Sequence, residues 1–119
     1  MLSSLEMTKI AVKALDARSA RDISVLETRD VTVLADYFVI CTANNPTHIK
    51  TLTDEVERLL DEQGEKVLHE EGYRAGGWVL LDYGCLIVHL FTKENRQFYG
   101  LERLWGDAPA LNVDEMLTE

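Results

Sequence analysis

The sequence predicts an α/β (α+β) fold: a single mixed β-sheet of about four to six strands, flanked by helices. Three stretches carry that prediction. From Trp78 to Thr92, two runs rich in β-branched and aromatic residues flank Asp82-Tyr83-Gly84, a hairpin signature in which the glycine supplies a positive φ. Tyr37-Phe38-Val39-Ile40-Cys41 is apolar almost throughout, as a central strand covered on both faces must be. Between them, Ile49, Leu52, Val56, Leu59 and Leu60 recur at helical spacing.

The remaining elements follow in order. Ser3 and Glu6 form a capping box, and Leu2 with Met7 is placed as a hydrophobic staple around it. Met7, Ile10, Ala11, Ala14 and Leu15 then mark the apolar face of a helix ending near Arg18. Ile23, Val25 and Leu26 read as a strand between Asp22 and Glu27, and Val31, Val33 and Leu34 as a short apolar connection. Asn45-Pro46 starts the next helix, with asparagine at the N-cap and proline where no amide hydrogen is needed. Gly64 is its C′ residue. Asp61 and Glu62 in the last turn oppose the helix dipole, so they point to a role other than helix stability.

Lys66 to His69 is expected as a short strand, and residues 70–77 as a glycine-rich connection holding Tyr73. After Thr92, Phe98, Leu101 and Trp105, with Leu104 beside them, predict one helix that runs through Gly100 and stops at Gly106. Gly100 inside it costs ~0.5–1 kcal/mol. Residues 1–109 are expected to form the domain. Residues 110–119 are expected as a tail, because Leu111, Val113, Met116 and Leu117 are too sparse to assign.

A chain of 119 residues is one domain by size. No apolar run approaches the ~20 residues of a membrane span, and no basic region precedes an apolar one at the N-terminus. Cys41 and Cys85 read as free thiols in a reducing compartment, so the expected location is cytoplasmic. The net charge of −9 is unevenly placed: residues 1–50 hold six basic and six acidic groups, residues 51–119 six and fifteen. Such a surface repels phosphate backbones and steers towards basic partners, which disfavours direct nucleic-acid binding.

The sequence holds no phosphate-cradling GxGxxG or GxxxxGK[ST], and no HExxH. His48, His69 and His89 lie far apart, without CxxC or HxxxH spacing, and are expected as capping, surface or sheet residues. Cys41 in an apolar strand is expected to be an inert thiol. A mixed sheet with flanking helices also suits nucleotidyltransferases, whose two-metal chemistry needs closely spaced carboxylates on one strand face. There is no Asp-x-Asp and no Gly-Ser pair. Glu55 and Glu57 diverge by ~200° on a helix. No enzymatic activity, cofactor or metal is expected.

The aromatic hairpin is then the candidate contact surface, with Trp78, Leu80, Asp82 and Tyr83 as protein-binding residues. Strand alternation puts Trp78, Leu80 and Asp82 on one face and Val79, Leu81 and Tyr83 on the other. The first set is expected on the open face, because a strand-end aspartate is costly to bury. Arg96, Tyr99, Glu102 and Trp105 are expected to be structural, on a helix that seals the sheet.

Assembled, these residues resemble one family. Asp36, Tyr37, Phe38, Val39 and Ile40 with Thr42 and His48, then Glu71-Gly72, carry the first half of the likeness. Trp78 with Asp82-Tyr83-Gly84, His89 with Phe91, Arg96 with Tyr99, Leu101-Glu102, Leu104-Trp105 and Asp107-Ala108 carry the second. The pattern is similar to ribosomal silencing factor S, the Iojap-related family, over residues 5–109. Asn45 stands where that family usually has serine, and Gly100 where it has a helix former.

The resemblance implies a nucleotidyltransferase-like fold without catalysis. It also implies a factor that binds the ribosomal protein L-fourteen on the intersubunit face of the large subunit, blocks small-subunit joining, and represses translation under nutrient limitation. A homodimer is implied for the free protein. Two other readings stand beside it: a large-subunit assembly factor that blocks nothing, and a nucleotidyltransferase-like enzyme with unusual ligands.

Overall fold

The computed structural model describes residues 2–74 and 76–118; the side chain of Leu104 lies outside the described atoms. Helix α1 (Ser4–Ala17) opens on the capping box, with Ser3 Oγ accepting from the Glu6 amide at 3.1 Å and Glu6 Oε1 from the Ser3 amide at 2.9 Å. Leu2 and Met7 enter the same core cluster, as a staple requires.

The sheet comprises β1 (Arg21–Glu27), β2 (Tyr37–Ala43), β3 (His69–Glu71), β4 (Trp78–Asp82) and β5 (Leu86–Thr92), in the spatial order β1-β2-β5-β4-β3. Among the described residues, β2 and β5 run parallel and the other neighbouring pairs are antiparallel. The parallel pair lies at the centre, and every residue of β2 is buried, as its unbroken apolar run demands.

Helix α2 (Pro46–Glu62) begins as its Asn-Pro start predicts, with Asn45 Oδ1 accepting the His48 amide at 2.8 Å. It ends at Gly64, whose φ of +83° is the left-handed C′ conformation. Its last-turn acids are ion-paired locally: Glu62 with Arg58 at 2.9 Å, and Asp61 with Lys66. Glu55 is instead buried, and it meets both Arg58 and Arg18, the residue that caps the end of α1. Leu15, Val12, Ile49, Leu52, Val56 and Leu60 pack α1 and α2 onto Val39, Val79, Leu81, Val88 and Leu90 of the sheet. Each such side chain contributes roughly 1.5–3 kcal/mol by leaving water.

Three elements differ from the sequence expectation. The third strand is His69–Glu71 rather than Lys66–His69. Its register is set by β4, where His69 faces Asp82 and Glu71 faces Leu80, and Leu68 is left largely exposed. The expected long last helix is two short ones, α3 (Lys93–Tyr99) and α4 (Leu101–Leu104). Gly100, at φ +57°, caps α3 in the left-handed conformation, so it is a breaker and not a penalty within a helix. Finally, Val113–Thr118 forms α5, which packs on α1 and buries Met116.

Just before α5 the chain runs along the outer edge of β1. The Glu27 amide donates to the Pro109 carbonyl at 2.8 Å and the Leu111 amide to the Val25 carbonyl at 2.9 Å. One sheet edge is thereby covered, which removes a site for unwanted strand pairing.

Candidate partner-docking face

Strand alternation divides the sheet into two surfaces. Val79 and Leu81 of β4 are fully buried against α1 and α2, whereas Trp78, Leu80 and Asp82 are only partly buried on the opposite face. Phe38, Ile40, Ile87 and Phe91 line that second face, and Leu101 and Trp105 lie over part of it. The parity read from the sequence holds. Tyr83, grouped there with the contact residues, turns the other way into the helix-side core, and only 7% of it is exposed.

The hairpin that carries this face is closed by the predicted turn. Gly84 has φ +85°, and Asp82 Oδ1 accepts its amide at 2.7 Å. Asp82 therefore spends one oxygen on the turn and keeps the other for solvent or a partner.

Trp78 is the centre of an aromatic cluster. Its ring stacks on Phe91 at 5.2 Å and 24°, and Tyr99 packs on it at 4.5 Å. Its indole N–H donates to Nδ1 of His89 at 3.2 Å. His89 is almost wholly buried, and burial lowers its pKa to about 4. Phe38 meets His89 edge-on at 5.3 Å and Trp105 at 5.6 Å, filling the interior of the face. Phe98 and Tyr99, by contrast, are exposed at the end of α3.

Arg96 is structural, as expected. Its guanidinium pairs with Glu102 at 2.8 Å, reaches Thr42 Oγ1 at 2.8 Å, and donates to the Asp22 carbonyl. One side chain so ties α3 to α4 and to the ends of β1 and β2, and the same pairing lowers the Glu102 pKa. Trp105 also seals the sheet. Tyr99 does so in part, packing on Trp78 and Phe91 of the sheet while its exposed side extends the outer aromatic surface with Phe98. Two adjacent aromatics on a helix point ~100° apart, which is the signal in the sequence that at least one must face outward.

Away from this face, Glu57 of α2 stands against Glu70 of β3, and burial followed by Glu70 raises the Glu57 pKa to about 8. His48 is a capping residue: Nδ1 accepts the Asn44 amide at 2.9 Å, and Nε2 lies 2.8 Å from the Arg18 carbonyl. Burial pushes the Cys41 thiol up to about 12, so it is inert at neutral pH. Among the described residues, no group of three His, Cys, Asp or Glu is placed to hold a metal ion. No described helix is long and apolar enough to cross a membrane. An open hollow of about 600 Å³ lies where Asp22 and Thr42 meet α3, with Lys93, Arg96 and Arg103 on its wall.

The class is therefore a small α/β domain with one sheet face sealed by two helices and the other offering a partly open aromatic surface. The chain belongs to the family described as "Ribosomal silencing factor during starvation", whose model matches residues 2–119. It is 38% identical to the ribosomal silencing factor of Bacillus subtilis over 95% of this chain and 96% of that protein. It is 34% identical to the factor of Halalkalibacterium halodurans over 98% of this chain and all of that one. A crystal structure of a Chromobacterium violaceum protein superposes with a TM-score of 0.86 at 32% identity, covering 88% of each chain.

Proposed function

We propose that this protein silences translation by docking the open aromatic face, centred on Trp78, Leu80 and Asp82, onto the large ribosomal subunit so that the small subunit cannot join. The observation that carries this reading is Trp78 itself. A domain of this size gains most by burying its tryptophans, yet this one stays partly open on the sheet face, beside exposed Tyr99 and Phe98. Partly open tryptophan and tyrosine side chains suit a protein interface, where they act as anchors. The net charge of −9 suits a basic partner.

The partner follows from the family resemblance: the ribosomal protein L-fourteen on the intersubunit face. Tyr83 supports the face from behind instead of touching the partner. The chain acts by occupancy and not by catalysis, a reading supported by the lack of an Asp-x-Asp and of a Gly-Ser pair in the sequence. The free protein is proposed to pair with a second copy, again from the resemblance.

Sucrose-gradient sedimentation of ribosomal subunits, with and without the protein, tests the proposal. Added protein should co-sediment with large subunits and lower the yield of joined ribosomes. Binding to large subunits with joining unchanged would leave an assembly role as the better reading. Binding only to small subunits would overturn both.

A further inference from the structure

We infer that His89 is the positioning residue of the docking face, holding the Trp78 indole in one of its two possible flips. This rests on the reading that Trp78 contacts the partner. The indole N–H is a donor only, so the His89 Nδ1 that receives it at 3.2 Å must be unprotonated. The imidazole proton therefore sits on Nε2. That atom is buried and has no hydrogen-bond partner among the described residues.

An orphaned donor in an aromatic interior is a cost that leucine at position 89 would not incur. Packing alone does not account for histidine there. What the imidazole supplies, and an aliphatic side chain cannot, is the acceptor facing Trp78.

The stacking contacts do not make the same choice. Trp78 lies over Phe91 and against Tyr99 through its ring faces. The terminal torsion of an aromatic side chain has broad, roughly two-fold preferences. Turning the indole over would keep much of the ring contact but swing the N–H and the six-membered ring to opposite sides. The Nδ1 acceptor selects one of these orientations. It thereby decides which edge of the indole the partner meets, and pre-organises that edge before binding.

Asparagine carries its carbonyl oxygen on the atom that bears Nδ1 in histidine, so His89→Asn retains the acceptor. His89→Gln places its amide farther out, near the Nε2 position, and His89→Leu has neither group. Leucine fills a comparable volume and removes the orphaned Nε2 donor, while the indole N–H of half-buried Trp78 loses its acceptor; thermal melting checks that the fold is kept. The readouts are the Trp78 indole N–H resonance and its solvent exchange in ¹⁵N-labelled protein, assigned with a Trp105→Phe variant, together with pelleting affinity for large subunits.

His89→Asn should keep the shifted, slowly exchanging resonance and near-parental affinity. His89→Leu and His89→Gln should lose the resonance position and bind roughly 3- to 10-fold more weakly, the range of one neutral hydrogen bond. An unchanged indole resonance in His89→Leu overturns the inference. So does a lost resonance with affinity intact while Trp78→Ala abolishes binding; the docking face would then stand without His89 orienting it. Normal binding by Trp78→Ala would overturn the docking face itself, and the inference with it.

Discussion

Gly72 lies directly against the main-chain carbonyl of Trp78: a Cβ added there would sit 2.0 Å from the oxygen. The same glycine has φ +84°, a conformation that side chains disfavour. It ends β3 where the chain leaves the sheet edge, so the strand that carries Trp78 is seated on a backbone that has no room for a side chain. Gly72→Ala combines left-handed strain with a backbone clash, and is expected to cost about 2–4 kcal/mol. Thermal melting should show the loss, and the β3–β4 amides should exchange faster.

Trp78→Ala separates docking from folding. The residue is only partly buried, so its truncation should destabilise the domain less than the ~3–5 kcal/mol typical of a core aromatic. Large-subunit affinity should fall by ~30-fold or more, the effect of losing an interface anchor. Leu80→Ala should weaken binding in the same sense. Tyr83→Ala should instead cost core stability. A stable, weakly binding Tyr83→Ala beside an unfolded Trp78→Ala would reverse the two faces.

Tyr83 carries a hydroxyl that is buried without a hydrogen-bond partner among the described residues. Burial, followed by the charges of Glu57, Glu70 and Asp61, drives its pKa above the usual phenolic value. The hydroxyl contributes desolvation cost and no bond, so Tyr83→Phe should leave stability unchanged or raise it by about 1 kcal/mol. A melting temperature clearly below that of the parent protein would show that the hydroxyl has a partner.

Acid should destabilise the fold through His89. Its pKa is lowered to about 4 by burial, against about 6.5 in the unfolded chain. Between those values the unfolded state binds more protons at this histidine, so the stability it contributes falls as pH drops from about 6.5 to about 4 and levels off below. The whole effect is on the order of 2–4 kcal/mol. Urea denaturation as a function of pH checks it by difference: Glu57, whose pKa burial and then Glu70 raise to about 8, adds stability as pH falls through the same window, so the His89 slope is the one that parent and His89→Leu do not share.

Much of this architecture was legible in local chemistry. The capping box at Ser3, the Asn45-Pro46 start, the Gly64 stop and the Gly84 hairpin each depend on a few neighbouring residues, and each is where the sequence predicts it. The apolar run at Tyr37 marked the centre of the sheet, because only a strand covered on both sides tolerates it. Alternation along Trp78–Asp82 separated open from buried positions, since side chains on a strand leave no other choice.

What the sequence determined by itself, then, was the kind of each major element and the side of the hairpin strand on which each residue lies. The tertiary structure decided the neighbours. The order β1-β2-β5-β4-β3 sets β2 beside β5, which brings Phe38 edge-on to His89 although the two lie far apart along the chain. Pairing with β4 shifted the edge strand to His69–Glu71, and packing on α1 drew the sparse apolar residues near Met116 into a helix. Gly100 is the clearest case: helical spacing runs straight through it, yet the chain breaks there and bends back over the sheet, where Trp105 packs edge-on to Phe38. Periodicity records which way a side chain points, whereas the surface it meets is supplied by distant segments and exists only once the chain has closed on itself.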